Sequence, residues 1–460
     1  MDTILNFFPY VGWVLLAIMI LVLVHELGHF LFARLFGMRV DKFSVGFPPK
    51  IIGKKFGDTE WVLGLLPLGG YVKIVGMVDE SMDTDQLSEE PQPWEFRSKP
   101  VWQRMLVMVG GVMFNIILAA FIFVMLTAIY GKSYRPAVGS VKVEEASVAY
   151  TMGLRTGDFV SAVNGKPIDP IAGLSGMQEL LLADPLTIDV EREGAILHFE
   201  GPRDIMTQLN QNKGGFGVEF DPPIVGYVNP DSPASAAGLV PGDKIVMIGD
   251  SLVVFYSDLT GYIQRAEGTE MSMRFFRPDS VTQAVSSVLM VAADSLQSIG
   301  GTTYEVALSA DGSGGKYLIG ITQVAHIQQY DFFQSIGSGV SETWLQTRLV
   351  ASSLKRIFTG QDNFRQNIGG PVMIAKVTKE AADMGAPYFW NIVAMLSITL
   401  AIINILPIPA LDGGHLVFLI YEGIVRKEPS LKLRMALQQV GMFILLAFMV
   451  FVIFNDFLKL

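Results

Sequence analysis

Fourteen apolar residues, Val11 to Val24, run without interruption into His25-Glu26-Leu27-Gly28-His29. Ionisable side chains are costly in hydrocarbon and are kept there mostly for function. The run therefore predicts a membrane-spanning helix, roughly residues 8 to 33, that carries chemistry as well as anchoring the chain. On a helix advancing about 100° per residue, positions 25 and 29 lie within roughly 40° of each other, so both imidazoles can reach one ion. Glu26 stands beside them, free to act as general base toward water while the two His hold zinc. With 5 His in 460 residues, His-Glu-x-x-His would arise by chance about 0.003 times in such a chain. The plainer alternative is a hydrogen-bonded His pair that holds a helix bundle together.

The segment is not read as a cleaved signal. Residues 1 to 10 contain Asp2 and no Lys or Arg, no small-residue cleavage pattern follows, and the apolar run contains the candidate metal motif. Further apolar stretches at about 101 to 130, 390 to 411 and 435 to 454 are each near the length a bilayer core requires. Four spans result. Residues 34 to 104 carry ten Lys and Arg, and the connection after the third span adds Arg426, Lys427, Lys432 and Arg434. Residues 131 to 388 carry nineteen over 258 residues, about half the density of the first loop. The asymmetry places the two short connections in the cytoplasm, and both termini with the long 131 to 388 section outside. In a bacterium, outside is the periplasm, and the expected location is the inner membrane.

Half the residues are hydrophobic, yet 17% are charged and 46 are Gly, too polar a mix for a chain that is all bundle. A net charge of −10 argues against a nucleic-acid partner. Without cysteine, neither a disulfide framework nor a thiolate zinc site is possible.

The section from about 134 to 280 repeats itself. Ser147-Val148-Ala149, Gly153-Leu154, Gly157-Asp158-Phe159-Val160 and Val163-Asn164-Gly165 recur as Ser232-Pro233-Ala234, Gly238-Leu239, Gly242-Asp243-Lys244-Ile245-Val246 and Ile248-Gly249-Asp250. The period is domain-sized. Carried by Gly-Leu-x-x-Gly-Asp, the pattern resembles tandem PDZ domains of bacterial membrane and periplasmic proteases, which accept peptides as an added strand. The alternative is that the copies serve only as spacers or filters. The 281 to 303 insert fits no PDZ ending.

The third apolar stretch ends in Asn404-Ile405-Leu406-Pro407-Ile408-Pro409-Ala410-Leu411-Asp412-Gly413-Gly414-His415. Pro407 and Pro409 cannot continue a regular helix, and irregular backbone at membrane depth is tolerated only where it is buried in protein or lines a cavity. Chemistry leaves two candidates for a third zinc ligand, Asp412 and His415, and Asp412 could also be the N-cap of the following helix. Asn115 and Asn404, amides in apolar segments, are candidates for binding substrate backbone or an oxyanion, or for holding helices together.

Taken in order, His25-Glu-x-x-His29, Gly111-x-x-x-Asn115, tandem PDZ copies and Asn404-x-x-Pro407-x-Pro409-x-Leu411-Asp412-Gly413 resemble the site-2 protease family of intramembrane zinc metalloproteases, in its bacterial form. The match extends to Gly369-Gly370-Pro371 and Asn455-Asp456-Phe457. The resemblance implies one zinc ion held by His25, His29 and Asp412, Glu26 as catalytic base, and a membrane-re-entrant β-hairpin that pairs with unwound substrate. Glu60 to Leu66 and Gly70 to Gly76 are expected to be its two strands, joined by a Pro67-Leu68-Gly69 turn, with Gly70, Tyr71, Val72 and Lys73 at the substrate edge. Pro48 stands where the family often has Gly, which puts close backbone approach there in doubt.

The implied substrate is a single-pass membrane segment, such as an anti-sigma factor stub already trimmed outside, or a leftover signal peptide. The competing classes are a divalent-metal transporter, which predicts repeated halves and a continuous polar path, and an idle PDZ scaffold, which predicts a lost base or ligand. The expected fold is a polytopic α-helical membrane protein of about four transmembrane helices with a membrane-associated β-hairpin and two PDZ domains. Its order is first helix 1 to 36, cytoplasmic loop 37 to 100, second helix 101 to 131, PDZ domains 132 to 221 and 222 to 330, amphipathic helix and connector 331 to 388, third helix 389 to 425, and fourth helix 426 to 460. The amphipathic stretch Phe332 to Phe358 is expected either to move with a lateral gate or to brace the membrane interface.

Overall fold

The structure, a computed structural model, describes residues 2–77, 90–134, 140–168, 185–211, 216–220, 222–279, 301–313, 316–323, 326–367 and 369–459. Its contacts divide into two units, one made of Met1–Gly131, Gln329–Phe358 and Phe364–Leu460, the other of Lys132–Gln328 and Thr359–Asn363.

In the first unit, four helical segments among the described residues are long and apolar enough to cross a membrane: Gly12–Leu35, Val101–Tyr130, Ala386–Ile405 and Leu431–Asp456. The third stops at Ile405, short of the expected 411, because Pro407 and Pro409 remove amide donors just beyond it. A separate helix, Asp412–Val425, follows the break. Without a strong hydrophobic drive between helices in lipid, close packing depends on small residues. Gly28 and Gly110 provide it, since a Cβ on either would overlap the carbonyl group of the other. Ala17, Leu21, Ala119, Phe123, Val393 and Ile398 then fill a core shared by the first three spans.

Phe332–Phe358 packs on the second span where Gly339 meets Val124. The two outlying motifs of the sequence meet each other. Asp456 accepts from the Gly370, Val372 and Met373 amides at 2.7, 3.0 and 3.1 Å, capping the helix Pro371–Met384.

The loop after the first span corrects the expected hairpin. Its strands are Val40–Phe56 and Thr59–Ile74, turning at Gly57-Asp58, and Gly57 has φ +60°. Both strands are long and bent. Residues 42–45 pair on one side with 60–63 and on the other with 70–73, while 50–56 pairs with 59–64. The result is a mixed sheet of four runs in the order 50–56, 59–64, 40–45, 70–74, in which both outer runs are antiparallel to their neighbours and the central pair, 59–64 and 40–45, runs parallel. Residues 60–66 and 70–76 are therefore not partners: they flank the 40–45 run. The ladder steps from Phe47↔Leu66 to Lys50↔Gly64, skipping Pro48 and Pro49, which have no amide to donate. Phe43, Val72, Ile74 and Phe96 bury the inner face against Ala33, Val107 and Met108 of the first two spans.

In the second unit, both copies of the repeat build the same four-stranded order. The first runs Lys166–Pro167, Phe159–Val163, Thr187–Arg192, Ala195–Glu200, and the second Ser251–Leu252, Lys244–Ile248, Met271–Pro278, Gly301–Leu308. In each copy a late strand returns to pair with the first, Val218–Glu219 with Lys142–Val143 and Ile321–Gln323 with Val225–Val228. The element Gly-Leu-x-x-Gly-Asp does the same work twice. Arg192 donates to the Asp158 carboxylate at 2.6 and 2.8 Å and to the Gly153 carbonyl at 2.9 Å. Arg277 donates to Asp243 at 2.8 and 2.7 Å and to Gly238 at 2.8 Å. Residues 281–300 of the insert lie outside the described residues, and 301–303 begin the strand that closes the second sheet.

Candidate metal centre

Three side chains converge at the centre of the first unit. Asp412 Oδ2 lies 3.1 Å from His25 Nε2 and 3.3 Å from His29 Nε2, and the two Nε2 atoms are 3.2 Å apart. A tetrahedral zinc with bonds of 2.0–2.1 Å separates its ligands by about 3.3 Å, so the three atoms already form one face of such a site. Asp412 Oδ2 is buried and accepts no hydrogen bond, although unpaired buried carboxylate oxygen is expensive. Two imidazole nitrogens and one carboxylate oxygen, gathered at one point, are a donor set that fits a divalent cation.

Local sequence sets this geometry. His25 and His29 are one helical turn apart and both buried. His29 Nδ1–H donates to the Val107 carbonyl at 2.8 Å, which leaves the lone pair on Nε2. Gly111 makes room for the pair, because a Cβ there would fall inside van der Waals contact with both imidazoles. Asp412 opens the helix after the break, with Leu411 as its N-cap; the alternative of Asp412 as N-cap is thereby corrected. A first-turn carboxylate is favoured by the helix dipole. Gly413 and Gly414 let that helix stack on the carbonyls of Ile405, Leu406 and Ile408, which no larger residue could approach so closely. At its far end, buried Arg104 of the second span binds Glu422, with Nη1 at 3.0 Å, and reaches Glu428 at 3.3 Å.

A cavity of about 600 Å³ opens beside the cluster, lined by His25, Glu26, His29, Asp412 and the edge run Gly70-Tyr71-Val72-Lys73-Ile74, with Lys42, Pro48, His415 and Met442 also on its wall. Gly70 brings the edge run against the first span: a Cβ there would come within 2.7 Å of Val22 Cγ1 and 3.1 Å of Glu26 Cγ. Of the amides, Asn404 Nδ2 is 3.2 Å from His25 Nε2 and Asn115 Nδ2 is 3.2 Å from His25 Nδ1. Neither proline of the break lines the cavity; Pro409 instead sets its Cα against Gly414 and its carbonyl against Gly441 of the fourth span. Sequence reasoning singled out Gly111 within a motif but gave it no role, which needs the neighbouring helix to be in place, and it missed the Val107 carbonyl, which is main chain and carries no signal.

A family model for Peptidase family M50 matches residues 13–448. The regulator of sigma-E protease RseP of Escherichia coli (strain K12) is 30% identical over 462 residues, covering 97% of this chain and 98% of that protein. Its namesake in Salmonella typhimurium (strain 14028s) is 28% identical over 464 residues, with 97% and 98% covered. A Vibrio cholerae protein, provisionally named a zinc metalloprotease, is 30% identical over 477 residues and the full length of both chains.

Proposed function

The chain belongs to peptidase family M50 and is a zinc metalloprotease, and from that premise we propose that it cuts peptide bonds inside the transmembrane segments of single-pass membrane proteins. The observation that carries the reading is the meeting of His25, His29 and Asp412 beside Glu26 and the outermost run of the sheet, 70–74, in one cavity framed by apolar spans. His25, His29 and Asp412 would hold the ion. Zinc, when bound, supplies a lowered pKa for water and a Lewis acid for the scissile carbonyl. Glu26 takes the proton from water and returns it to the departing amine. A helical substrate hides its amides and carbonyls in its own hydrogen bonds, so it must be opened before cleavage. The run 70–74 offers it replacement partners as an added strand, and Asn404 can turn its amide to the substrate.

The repeat of the second unit fits a pair of PDZ domains that limit entry to shortened substrates. The natural substrate class is then an anti-sigma factor stub whose outer domain has already been removed, the cut releasing a cytoplasmic regulator; leftover signal peptides are a second. The orientation read from Lys and Arg puts the repeat and both termini in the periplasm of a bacterial inner membrane.

The test is cleavage of a tagged single-span substrate lacking its periplasmic domain, by wild type and Glu26→Gln, with bound zinc quantified in both. Loss of cutting with zinc retained supports Glu26 as the base. Equal cutting by both proteins removes this centre as the active site.

A further inference from the structure

His25 has a neighbour on each ring nitrogen, and the two demand incompatible protons. Asn404 Nδ2 lies 3.2 Å from Nε2, and Asn115 Nδ2 lies 3.2 Å from Nδ1. Both amides thus offer N–H groups, but a neutral imidazole accepts at one nitrogen only and carries its hydrogen on the other. One amide must turn, and burial decides which. Asn115 is fully buried, and its Oδ1 is buried with no donor. A half-turn of that carboxamide exchanges two atoms of nearly equal size. It places Oδ1 against His25 Nδ1–H and gives the orphaned oxygen its partner. The lone pair of His25 then sits on Nε2, the atom facing Asp412 and His29.

We infer that Asn115 is a positioning residue: its side-chain oxygen holds His25 in the one tautomer able to bind metal. It is the neutral counterpart of the carboxylate that often backs a metal-binding His. Asn115 is fully buried between spans and absent from the cavity wall, whereas Asn404 is partly exposed, so contact with substrate is not the role of Asn115. The second span therefore governs both imidazoles from one face. The Val107 carbonyl sets His29, and Asn115 sets His25 two turns further on. Ser397 of the third span donates to the Asn115 carbonyl at 2.8 Å and pins that turn. A main-chain carbonyl cannot be lost by substitution; an asparagine can.

The inference rests on the proposed role of His25 as a ligand. The experiment measures zinc affinity of the full-length protein by chelator competition, for wild type, Asn115→Leu, Asn115→Asp and His25→Ala. Asn115→Leu keeps the shape and loses the acceptor, and is expected to bind zinc about 10–100-fold more weakly. Asn115→Asp has only acceptors, and is expected to bind at least as tightly as wild type. Wild-type affinity in Asn115→Leu together with lost cleavage would make Asn115 a substrate residue and overturn the inference. A tenfold loss in Asn115→Asp would overturn it too, by showing that an N–H is needed, and this reading survives even if the Leu variant does not fold. Undiminished binding in His25→Ala would instead remove the ligand assignment beneath it.

Discussion

Carboxylate oxygens are buried in both units, and Asp412 of the first is treated unlike Asp158 and Asp243 of the second. Asp158 and Asp243, at most 1% exposed, are gripped by two guanidinium nitrogens and a main-chain amide, from Arg155 and Val240 respectively. Asp412 faces two imidazoles, and its inner oxygen accepts no hydrogen bond. A buried charge is tolerated when it is paired or when it coordinates a metal. The repeat's aspartates are explained by their pairing, so they staple a sheet to a loop. Asp412 is left unexplained until an ion is supplied. The contrast separates structural from chemical carboxylates in one chain more sharply than burial alone could.

The contrast can be broken most forcefully at Asp412 itself. Asp412→Asn is expected to abolish cleavage and stoichiometric zinc, while hydrogen exchange across residues 140–211 stays unchanged; retained zinc, by elemental analysis, would end the distinction. Next, Gly111→Ala should force the imidazoles apart and cost at least tenfold in zinc affinity with helicity intact, checked by circular dichroism beside chelator competition. In the other unit, Arg277→Leu strands a fully buried carboxylate. Because the arginine itself is partly exposed, the expected loss is about 2–3 kcal/mol of local stability, read by hydrogen exchange, with zinc content unaltered.

The smallest effect concerns pH. Burial alone would raise the pKa of Asp158, but hydrogen bonds and charge from Arg192 and the Arg155 amide more than offset it and hold the carboxyl below its ordinary value. A depressed native pKa contributes stability that is present above about pH 4 and lost as pH falls through the lower folded value. Protection of residues 153–163 should therefore drop on acidification in wild type and much less in Asp158→Asn.

Features set by local spacing were legible in the sequence. The interval from His25 to His29 put both rings on one face, Pro407 and Pro409 marked the break, and Gly-Leu-x-x-Gly-Asp announced two alike copies. Features set by another element were not. Pro67 and Gly69 look like a turn, yet they lie within a strand whose true partner includes Pro48-Pro49, residues that argue against a strand at all. Arg192 and Arg277, 34 residues from the aspartates they hold, carry no motif. Asp412 and His415 were equal by chemistry. The family resemblance favoured Asp412, and in the structure it is Asp412 whose Oδ2 lies 3.1 and 3.3 Å from the two imidazoles.

The cap on Pro371–Met384 has a consequence in time. Its carboxylate comes from Asp456, 86 residues after the Gly370 amide it receives. During translation the start of that helix must therefore wait, its amides bare, until most of two further spans have been made. A chain released before position 456 lacks the carboxylate that accepts from these three amides. Shortening the fourth span by a few residues should thus be felt first at Gly370.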